Sequence, residues 1–298
     1  MKLTVNAKPQ SGIHSFLDLC DIFRTAGFDA LDFSLSDLVN DDSEMYQSNP
    51  VEYAERIKRD AEERGLSIRQ THAPFLFQNW DDETHFESVI FPRIVRSLEM
   101  SAIMGARITV VHPLHHRVYR GHEDEIFELN MKFYRRLIPY CKEYGIQVAI
   151  ENMFQKDSRR RCYLIDACNT KEDFIRYIDT LDSEYMVACL DIGHVGLPHR
   201  DDEAQDMIRA LGHDRLKTLH VHDNSYTEDQ HTLPFLGKID WAEVTRALAD
   251  IRYDGDLNYE VNTALLNTSD QTFTPLAAKF MADVGRHLIR RIEEQKKR

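Results

Sequence analysis

The sequence predicts an α/β fold, and within that class a single closed (β/α)8 barrel. Short apolar or β-branched runs alternate with longer amphipathic stretches from end to end, which is typical of parallel strands joined by helical crossovers. Eight such strand–helix units occupy 298 residues, a number and length that suit one barrel better than two open sheets. No linker rich in proline, glycine or serine divides the chain. We therefore predict one domain over residues 1–298.

The eight predicted strands are short, apolar and distributed along the whole chain. They comprise Leu3–Ala7, Ala30–Ser34, Ser67–His72, 107–112, Gln147–Glu151, Met186–Asp191, Leu216–His220 and 257–261. Between them lie helical patterns, of which 50–65 and 123–145 are clear examples that end on Gly65 and Gly145. Glycine just past the last helical turn is a common stop signal.

The composition excludes some classes of partner. The net charge is −13, and no block of lysine and arginine is long enough to follow a phosphate backbone, so we expect no nucleic-acid partner. The segment MKLTVNAKPQ is too polar for a signal peptide, and no apolar run reaches membrane-spanning length. We therefore expect a cytoplasmic protein without membrane contact. The five cysteines include no C-x-x-C pair and are expected to be reduced thiols. The sequence is compatible with a monomer or a homo-oligomer.

Polar side chains that can bind metal recur at the ends of the last six predicted strands. In chain order they are His72, His112, Glu151, Asp191, His220 and Glu260. Their separations of 40, 39, 40, 29 and 40 residues follow the length of one strand–helix unit. Because the carboxyl ends of all strands open on one face of a barrel, these side chains are expected to form a ring at its mouth.

Such a ring favours a metal site. Carboxylates and imidazoles crowded into so small a space carry large desolvation and repulsion costs, which a divalent cation removes. The mixed oxygen and nitrogen donors suit Mn²⁺, Zn²⁺, Co²⁺ or Fe²⁺. The sequence therefore predicts at least one metal ion at the mouth. The alternative is a metal-free site in which the histidines bind an anionic substrate and the carboxylates cap helices.

A second group of candidate ligands follows strands six and seven. His194 lies in the turn after strand six, and Asp229 and His231 lie in the loop after strand seven. Extended residues at i and i+2 face the same side, so Asp229 and His231 could hold a further cation with His194, or contact substrate or water instead. The same rule leaves His220 and His222 as alternative ligands, and we favour His220, which is nearer the core of the strand. The remaining loop histidines are expected at the surface: His115, His116, His199 and His213.

Two loops bear on the substrate. The segment FLFQNWDDETHF after strand three is aromatic and acidic, and Trp80 within it suits the apolar face of a sugar. The basic run Arg159, Arg160 and Arg161 after strand five could bind a phosphate or carboxylate of a small substrate, or be a solvated loop or subunit contact. We find no lysine among the strand-end residues, which disfavours a Schiff-base aldolase, and no phosphate-binding or dinucleotide-binding glycine motif.

The segments THAPF, VVHP, IEN, LDIGH, LHVHDN, DQH, GKIDW and YEV resemble the successive strand-end motifs of the xylose isomerase-like TIM-barrel superfamily. That superfamily includes ketose 3-epimerases, inosose dehydratase, hydroxypyruvate isomerase and endonuclease IV. The resemblance covers nearly the whole chain and is specific in its second half.

The sugar-converting branch implies one divalent metal, held at the positions that match Glu151, Asp191, His220 and Glu260. It also implies that the two glutamates move protons on a ketose, keto-polyol or sugar phosphate through a metal-stabilised enediolate. We expect this isomerase or epimerase activity, with substrate contacts from His194, His72, His112 and Trp80. A dehydratase that uses the same enediolate fits equally well, and a metal-dependent sugar sensor fits less well. The arginine that ketose 3-epimerases usually carry after the strand-seven histidine is missing here.

The endonuclease IV branch implies three zinc sites, and the matching positions are all occupied. His72, His112 and Glu151 match one site, the four residues of the isomerase site match the second, and His194, Asp229 and His231 match the third. A multi-zinc phosphoesterase is therefore the alternative function. The acidic charge and the acidic loop after strand two weigh against DNA as its substrate.

Overall fold

The computed structural model describes residues 1–8, 10–75, 80–114, 118–198, 202–267 and 270–297. Eight parallel strands form one sheet in which the first seven strands pair in chain order and the first also pairs with the last. They are β1 (Leu3–Ala7), β2 (Ala30–Ser34), β3 (Ser67–His72), β4 (Ile108–Val110), β5 (Gln147–Glu151), β6 (Met186–Asp191), β7 (Leu216–His220) and β8 (Leu257–Tyr259).

The two edge strands of this sheet meet just beyond the end of β7. Val221 and Tyr259 form a parallel bridge, in which the Val221 amide donates to the Asn258 carbonyl at 2.8 Å and the Glu260 amide donates to the Val221 carbonyl at 3.3 Å. The sheet is thereby closed on itself, and the predicted (β/α)8 barrel is confirmed.

One long helix follows each strand and packs on the outside of the barrel. The helices are α1 (Phe16–Ala26), α2 (Pro50–Glu62), α3 (Phe91–Met104), α4 (Glu123–Tyr144), α5 (Lys171–Leu181), α6 (Ala204–Arg215), α7 (Trp241–Asp250) and α8 (Thr274–Gln295). Helix α4 ends at Gly145 as predicted, because this glycine adopts the left-handed conformation, with φ of 68°. Helix α2 ends three residues before Gly65, and a turn completes the predicted segment. None of the described helices is both long and apolar enough to cross a bilayer.

Two strands are shorter than predicted, β4 at both ends and β8 at its carboxyl end. Pairing continues past β4 through one hydrogen bond, from the Val111 amide to the Ala149 carbonyl at 3.0 Å. Beyond that point the chain leaves the ladder, and His112 and Glu260 stand at the mouth on irregular backbone. The ladder therefore stops where side chains converge on the candidate site.

Several short elements at the carboxyl ends of the barrel strands were not predicted from the sequence. A β-hairpin of Phe154–Asp157 and Cys162–Ile165 follows β5, and a one-turn helix, Ile192–Val195, follows β6. A further hairpin, Gln10–Ser11 with His14–Ser15, leads into α1.

The interior of the barrel has an apolar side and a polar side. Val110, Ala149, Val187 and Cys189 form a small buried cluster between β4, β5 and β6. On the opposite side the Asp32 carboxylate accepts hydrogen bonds from Asn258 Nδ2 at 2.8 Å and from Gln70 Nε2 at 2.9 Å. Burial raises the pKa of Asp32. This polar side lies directly beneath His220, since Gln70 Nε2 is 3.2 Å from His220 Nε2.

Candidate metal centre

The strand ends bring the predicted ring together as overlapping clusters at the mouth of the barrel. We call Glu151, Asp191, His220 and Glu260 the central cluster. His72, His112 and Glu151 form the His72 cluster, and His194, His222, Asp229 and His231 form the His194 cluster. Within each cluster the candidate ligand atoms all lie within 4.8 Å of one another. A fourth combination, His72, His220 and Glu260, meets the same limit and links the first two clusters.

The central cluster is organised around the imidazole of His220. Its Nδ1 lies 3.1 Å from Glu151 Oε1 and 3.1 Å from Glu260 Oε2, and 3.9 Å from Asp191 Oδ2. His220 and Asp191 are fully buried, whereas the Glu260 side chain is 23% exposed towards solvent. Four donor atoms from four strand ends therefore surround one point at the bottom of the mouth.

Asp191 combines the two roles that the sequence analysis treated as alternatives. Its Oδ1 accepts a hydrogen bond from the His194 amide at 2.8 Å and caps the helix Ile192–Val195. Its carboxylate also belongs to the central cluster. A helix cap and a candidate metal ligand are therefore the same residue.

The His72 cluster presents two imidazole nitrogens to one carboxylate. His72 Nδ1 donates to the Ala73 carbonyl at 2.8 Å, so the lone pair of this ring lies on Nε2. That Nε2 is 3.0 Å from His112 Nε2, which in turn is 2.8 Å from Glu151 Oε2. Glu151 therefore directs one oxygen to each of two clusters.

The His194 cluster is fixed by hydrogen bonds to backbone carbonyls. His194 Nδ1 donates to the Asn152 carbonyl at 2.9 Å, and His231 Nδ1 donates to the Glu260 carbonyl at 2.6 Å. Both rings thus turn Nε2 towards Asp229, at 3.8 Å for His194 and 3.1 Å for His231. Hydrogen bonding of one ring nitrogen to a carbonyl is the usual way in which proteins orient a ligating histidine.

The loop that carries Asp229 and His231 is held by Asp223, just after β7. The Asp223 carboxylate accepts from Trp241 Nε1 at 2.8 Å and from the Phe235 amide at 2.9 Å, and its backbone pairs with Thr232 in both directions. Trp241, the last residue of the GKIDW segment, therefore helps to anchor this loop.

His222 belongs to the candidate site together with His220. The structure places His220 in the central cluster and His222, two residues further on, in the His194 cluster, where its Nε2 is 2.9 Å from Asp191 Oδ1. The absence of a side chain on Gly193 makes room for this ring, because a Cβ there would lie 2.0 Å from His222 Cε1. The i, i+2 spacing signalled that both rings share a face, although it did not show that they serve different clusters.

Asn152, in the IEN segment, is a structural residue that the sequence analysis missed. Its side-chain amide pairs with the backbone of Asp191, accepting from the amide at 2.7 Å and donating to the carbonyl at 3.0 Å. Together with the bond from His194, this clamps the end of β5 to the end of β6. An asparagine directly after a strand-end ligand was the available signal.

Burial and charge shift the pKa values in the central and His72 clusters. Burial alone raises the pKa of Glu151, but its interactions with His220 and His112 outweigh that effect and lower the pKa well below its usual value. Burial lowers the pKa of His112 to about 4. Glu151 is therefore ionised at neutral pH, and the His112 ring is neutral.

The His194 cluster is a network of opposite charges. Burial alone lowers the pKa of His194, but Asp191 and Asp229 raise it to about 10. In the same way the pKa of His231, lowered by burial, is raised by Asp229 and Glu260 to about 9. Burial raises the pKa of Asp229, and the two histidines lower it well below its usual value.

The donor set fits one or more divalent cations. Three imidazoles are oriented by Nδ1–H bonds to carbonyls and turn Nε2 towards the other members of their clusters. Asp229 Oδ1 is buried and has no hydrogen-bond partner among the described residues, as expected of an oxygen meant for a cation. The central cluster offers three carboxylates and one imidazole, a set typical of Mn²⁺, Co²⁺, Zn²⁺ or Fe²⁺.

Several other predicted residues lie away from the clusters. Trp80 lies half-buried in a cavity of about 280 Å³ whose other lining residues all belong to α4, so its role as a substrate contact stays a prediction. Arg159, Arg160 and Arg161 are exposed in the turn of the hairpin after β5, where Arg160 pairs with Asp157 at 2.6 Å. His213 lies at the surface as expected, beside Asp254. His115, His116 and His199 lie outside the described residues.

Lys8 is a further strand-end residue that the predicted ring does not include. Lys8 directly follows β1, and it lines a cavity of about 340 Å³ that also contacts Glu260 and His231. The strand-end motifs on which the sequence analysis relied begin with β3, so the end of β1 was not considered.

Comparison with known proteins agrees with this geometry. The family model described as xylose isomerase-like TIM barrel matches residues 20–281. The uncharacterized protein y4fM of Sinorhizobium fredii is 25% identical over 266 residues, which cover 86% of this chain and 76% of that protein. The D-psicose 3-epimerase of Enterocloster bolteae is 23% identical over 241 residues, 79% of this chain and 73% of that protein.

Solved structures share the fold over the whole chain. The crystal structure of a D-tagatose 3-epimerase-like protein superposes with a TM-score of 0.74 at 20% identity and covers 99% of both chains. At this identity the likeness shows the fold alone. Since the family model spans most of the chain, the protein belongs to the xylose isomerase-like TIM-barrel family.

Proposed function

We propose that this protein is a divalent-metal-dependent isomerase or epimerase. Its substrate would be a ketose, a keto-polyol or a sugar phosphate, and the reaction would move a proton at the carbon next to the carbonyl. One observation carries the proposal. Carboxylate oxygens of Glu151 and Glu260, from opposite sides of β7, each approach His220 Nδ1 to 3.1 Å. Two carboxylates that border the same small space can serve as the pair of bases that proton removal and return require.

The two glutamates differ in their access to a substrate. Glu151 is buried, whereas Glu260 is partly exposed and lines the cavity of about 340 Å³. Both pKa values are lowered, because the neighbouring imidazoles outweigh the opposite effect of burial. Both side chains are therefore ionised and able to accept a proton. One would remove it from the substrate carbon, and the other would return it to the opposite face or to the adjacent carbon.

The central cluster would hold the catalytic cation. When bound there, a divalent cation supplies a Lewis acid that acidifies the C–H next to a carbonyl and stabilises the negative charge that develops on the carbonyl oxygen. The chain contributes the orientation. Gln70 contacts His220 from below, and Asn152 fixes the backbone of Asp191.

Isotope exchange tests the proposal directly. The metal-loaded protein is incubated in D₂O with a panel of ketoses, their phosphates and inososes, and deuterium at the carbon beside the carbonyl is followed by NMR. We expect exchange into at least one member, retained in the surface variant Glu62→Gln on α2 and lost in Glu260→Gln. Failure of every member to exchange, in protein shown to contain metal, would refute the proton-transfer mechanism.

A second candidate function is supported by the position of Glu151. Its Oε1 faces His220 and its Oε2 faces His112, so this carboxylate can be shared between cations in two clusters. With both oxygens engaged, Glu151 could not act as a base, and a multi-metal hydrolase of phosphate esters would be favoured. Metal analysis separates the two functions. One ion per chain supports the isomerase, and two or three ions together with hydrolysis of a phosphate ester support the hydrolase.

A further inference from the structure

A cavity beside the central cluster has the size and polarity of a ligand subsite. It measures about 340 Å³ and lies between the ends of β1 and β8, within the range of small-molecule sites. Its lining includes Glu260 and His231 of the candidate site, and it also includes Asn6, Lys8, Asn262 and Thr263. A molecule that reaches Glu260 through the open mouth therefore has room for its far end here.

Lys8 lines this cavity from the end of β1. Inside the barrel, Thr4 Oγ1 donates to Asn258 Oδ1 at 2.6 Å, so the inward side of this strand is known. Asn6 shares that side of the strand, and Lys8 follows two residues later, just past the end of β1. Both line the cavity.

The ammonium group of Lys8 has no counter-ion in the described part of the chain. Among the described residues it makes no hydrogen bond or ion pair, and its side chain is exposed. It is also the one lysine or arginine among the described residues that line the cavity, which otherwise contains the carboxylates of Asp229 and Glu260. A free ammonium group beside carboxylates that face other partners is available to a negatively charged group of a ligand.

The strand register gives the distance that a substrate would have to span. Val5 pairs with Tyr259, so Asn6 stands at the level of Glu260, and Lys8 lies two residues beyond that level, just past the end of β1. Two residues of rise and one strand spacing amount to roughly 8 Å. This is about the length of a six-carbon chain, before the reach of the lysine side chain is added.

We propose that Lys8, assisted by Asn6, binds a carboxylate or phosphate at the end of the substrate remote from the carbon that Glu260 deprotonates. This inference rests on the proposed function for the position of the reacting carbon. It narrows the substrate class to ketoses that carry an anionic group at the far end.

Equilibrium binding tests the inference without requiring turnover. The metal-loaded protein is titrated calorimetrically with D-fructose, with D-fructose 6-phosphate and with a keto-sugar acid of the same length. We expect the wild type to bind at least one anionic ligand roughly 10- to 100-fold more tightly than D-fructose, as is typical of hydrogen bonds between charged groups. The ligand that shows the preference identifies phosphate or carboxylate as the group bound.

Three variants assign the preference to its residue. Lys8→Met should abolish the preference and leave the affinity for D-fructose within about twofold, and Lys8→Arg should restore it. Lys132→Met, in the cavity beside Trp80, should behave as the wild type. Equal binding of neutral and anionic ligands by the wild type, no binding of either anionic ligand, or a preference that survives in Lys8→Met would overturn the inference. Because binding is read without exchange, failure of the proton-transfer reaction would be seen separately.

Discussion

Glu151 is the residue at which the two candidate chemistries diverge. A base needs a free oxygen, whereas a bridging ligand uses both. The structure directs Oε1 to His220 and Oε2 to His112, so the outcome depends on whether the His72 cluster binds a cation as well. Glu260 lies near His72 in the fourth combination but is not a member of the His72 cluster, and its partly exposed carboxylate faces the cavity.

Substitution of the two glutamates should therefore have unequal effects on metal content. Either Glu→Gln variant should lose roughly 10²- to 10⁴-fold of the exchange rate, because a general base is removed. Glu151→Gln should lower the metal content of both the central and the His72 clusters, while Glu260→Gln should leave the His72 cluster unaffected. Metal analysis beside NMR exchange rates measures both effects. Full exchange activity in Glu260→Gln would contradict its role as a base.

Metal binding at the His194 cluster should release protons. The pKa of His194 is raised to about 10 and that of His231 to about 9, so both rings are protonated at neutral pH in the absence of a cation. A cation needs the Nε2 lone pair, so it must displace these protons, and its affinity should rise as the pH increases towards 9. Calorimetric titration with Zn²⁺ in buffers of different ionisation enthalpy measures the protons released. An affinity that does not change between about pH 6 and pH 9 would show that these rings are not ligands.

At the scale of elements, the one-turn helix Ile192–Val195 and the end of β7 are packed face to face. Gly193 lies against the ring of His222, and the Asn224 side chain donates to the Gly193 carbonyl at 2.8 Å. The φ of Gly193 does not lie in the left-handed region. A glycine is required at this position because the His222 ring leaves no room for a Cβ.

Gly193→Ala should displace His222 and destabilise the fold. The added Cβ would lie 2.0 Å from His222 Cε1 in a fully buried position, and overpacking of this kind costs about 1–3 kcal/mol. In the background of His222→Ala the same substitution should cost much less, because the clash is gone. Urea unfolding of the two single variants and the double variant gives the coupling energy. Strict additivity would show that the helix relaxes away from the ring.

At the scale of the whole molecule, charge governs the choice of macromolecular partner. The net charge is −13, and many of the described basic side chains form ion pairs, among them Arg136 with Glu87 and Arg215 with Asp179. The candidate site itself is rich in carboxylates. A duplex that approaches the mouth would therefore meet repulsion from the surface and from the site.

The protein should not cut duplex DNA that contains abasic sites at a useful rate. Any association should disappear at roughly 0.15 M salt, because few phosphates can be neutralised. Nicking assays and salt-dependent binding measure this, with Glu260→Gln as the control for contaminating nucleases. Efficient nicking that survives repurification and is lost in that variant would favour the multi-metal hydrolase instead.

Much of the fold was predictable because local sequence patterns specify its strands and helices. The limits of β1, β2, β3, β5, β6 and β7 agree with the prediction, since most of them are short runs rich in apolar or β-branched residues. The mouth was harder to predict. The hairpin after β5 reads as a polar loop in the sequence, and β4 and β8 stop early because their last residues turn to place His112 and Glu260.

The sequence by itself determined that ligand-type residues would gather in one place. A parallel barrel puts all carboxyl ends of its strands on one face, so a residue type repeated once per strand–helix unit must form a ring there. That conclusion needs only the period of the chain. The six members of the ring, from His72 to Glu260, could therefore be predicted without any distance being known.

Only the tertiary structure decided how the ring divides into clusters. His220 and His222 share a face of the chain, yet they belong to different clusters. The loop anchored by Asp223 brings Asp229 and His231 close to the imidazole of His222. Lys8 reaches the same mouth from the other end of the chain, through the pairing of β1 with β8. Such contacts depend on the stagger of neighbouring strands and on bonds between distant residues. A local pattern contains neither of these, and for that reason the assignment of residues to clusters had to come from the folded barrel.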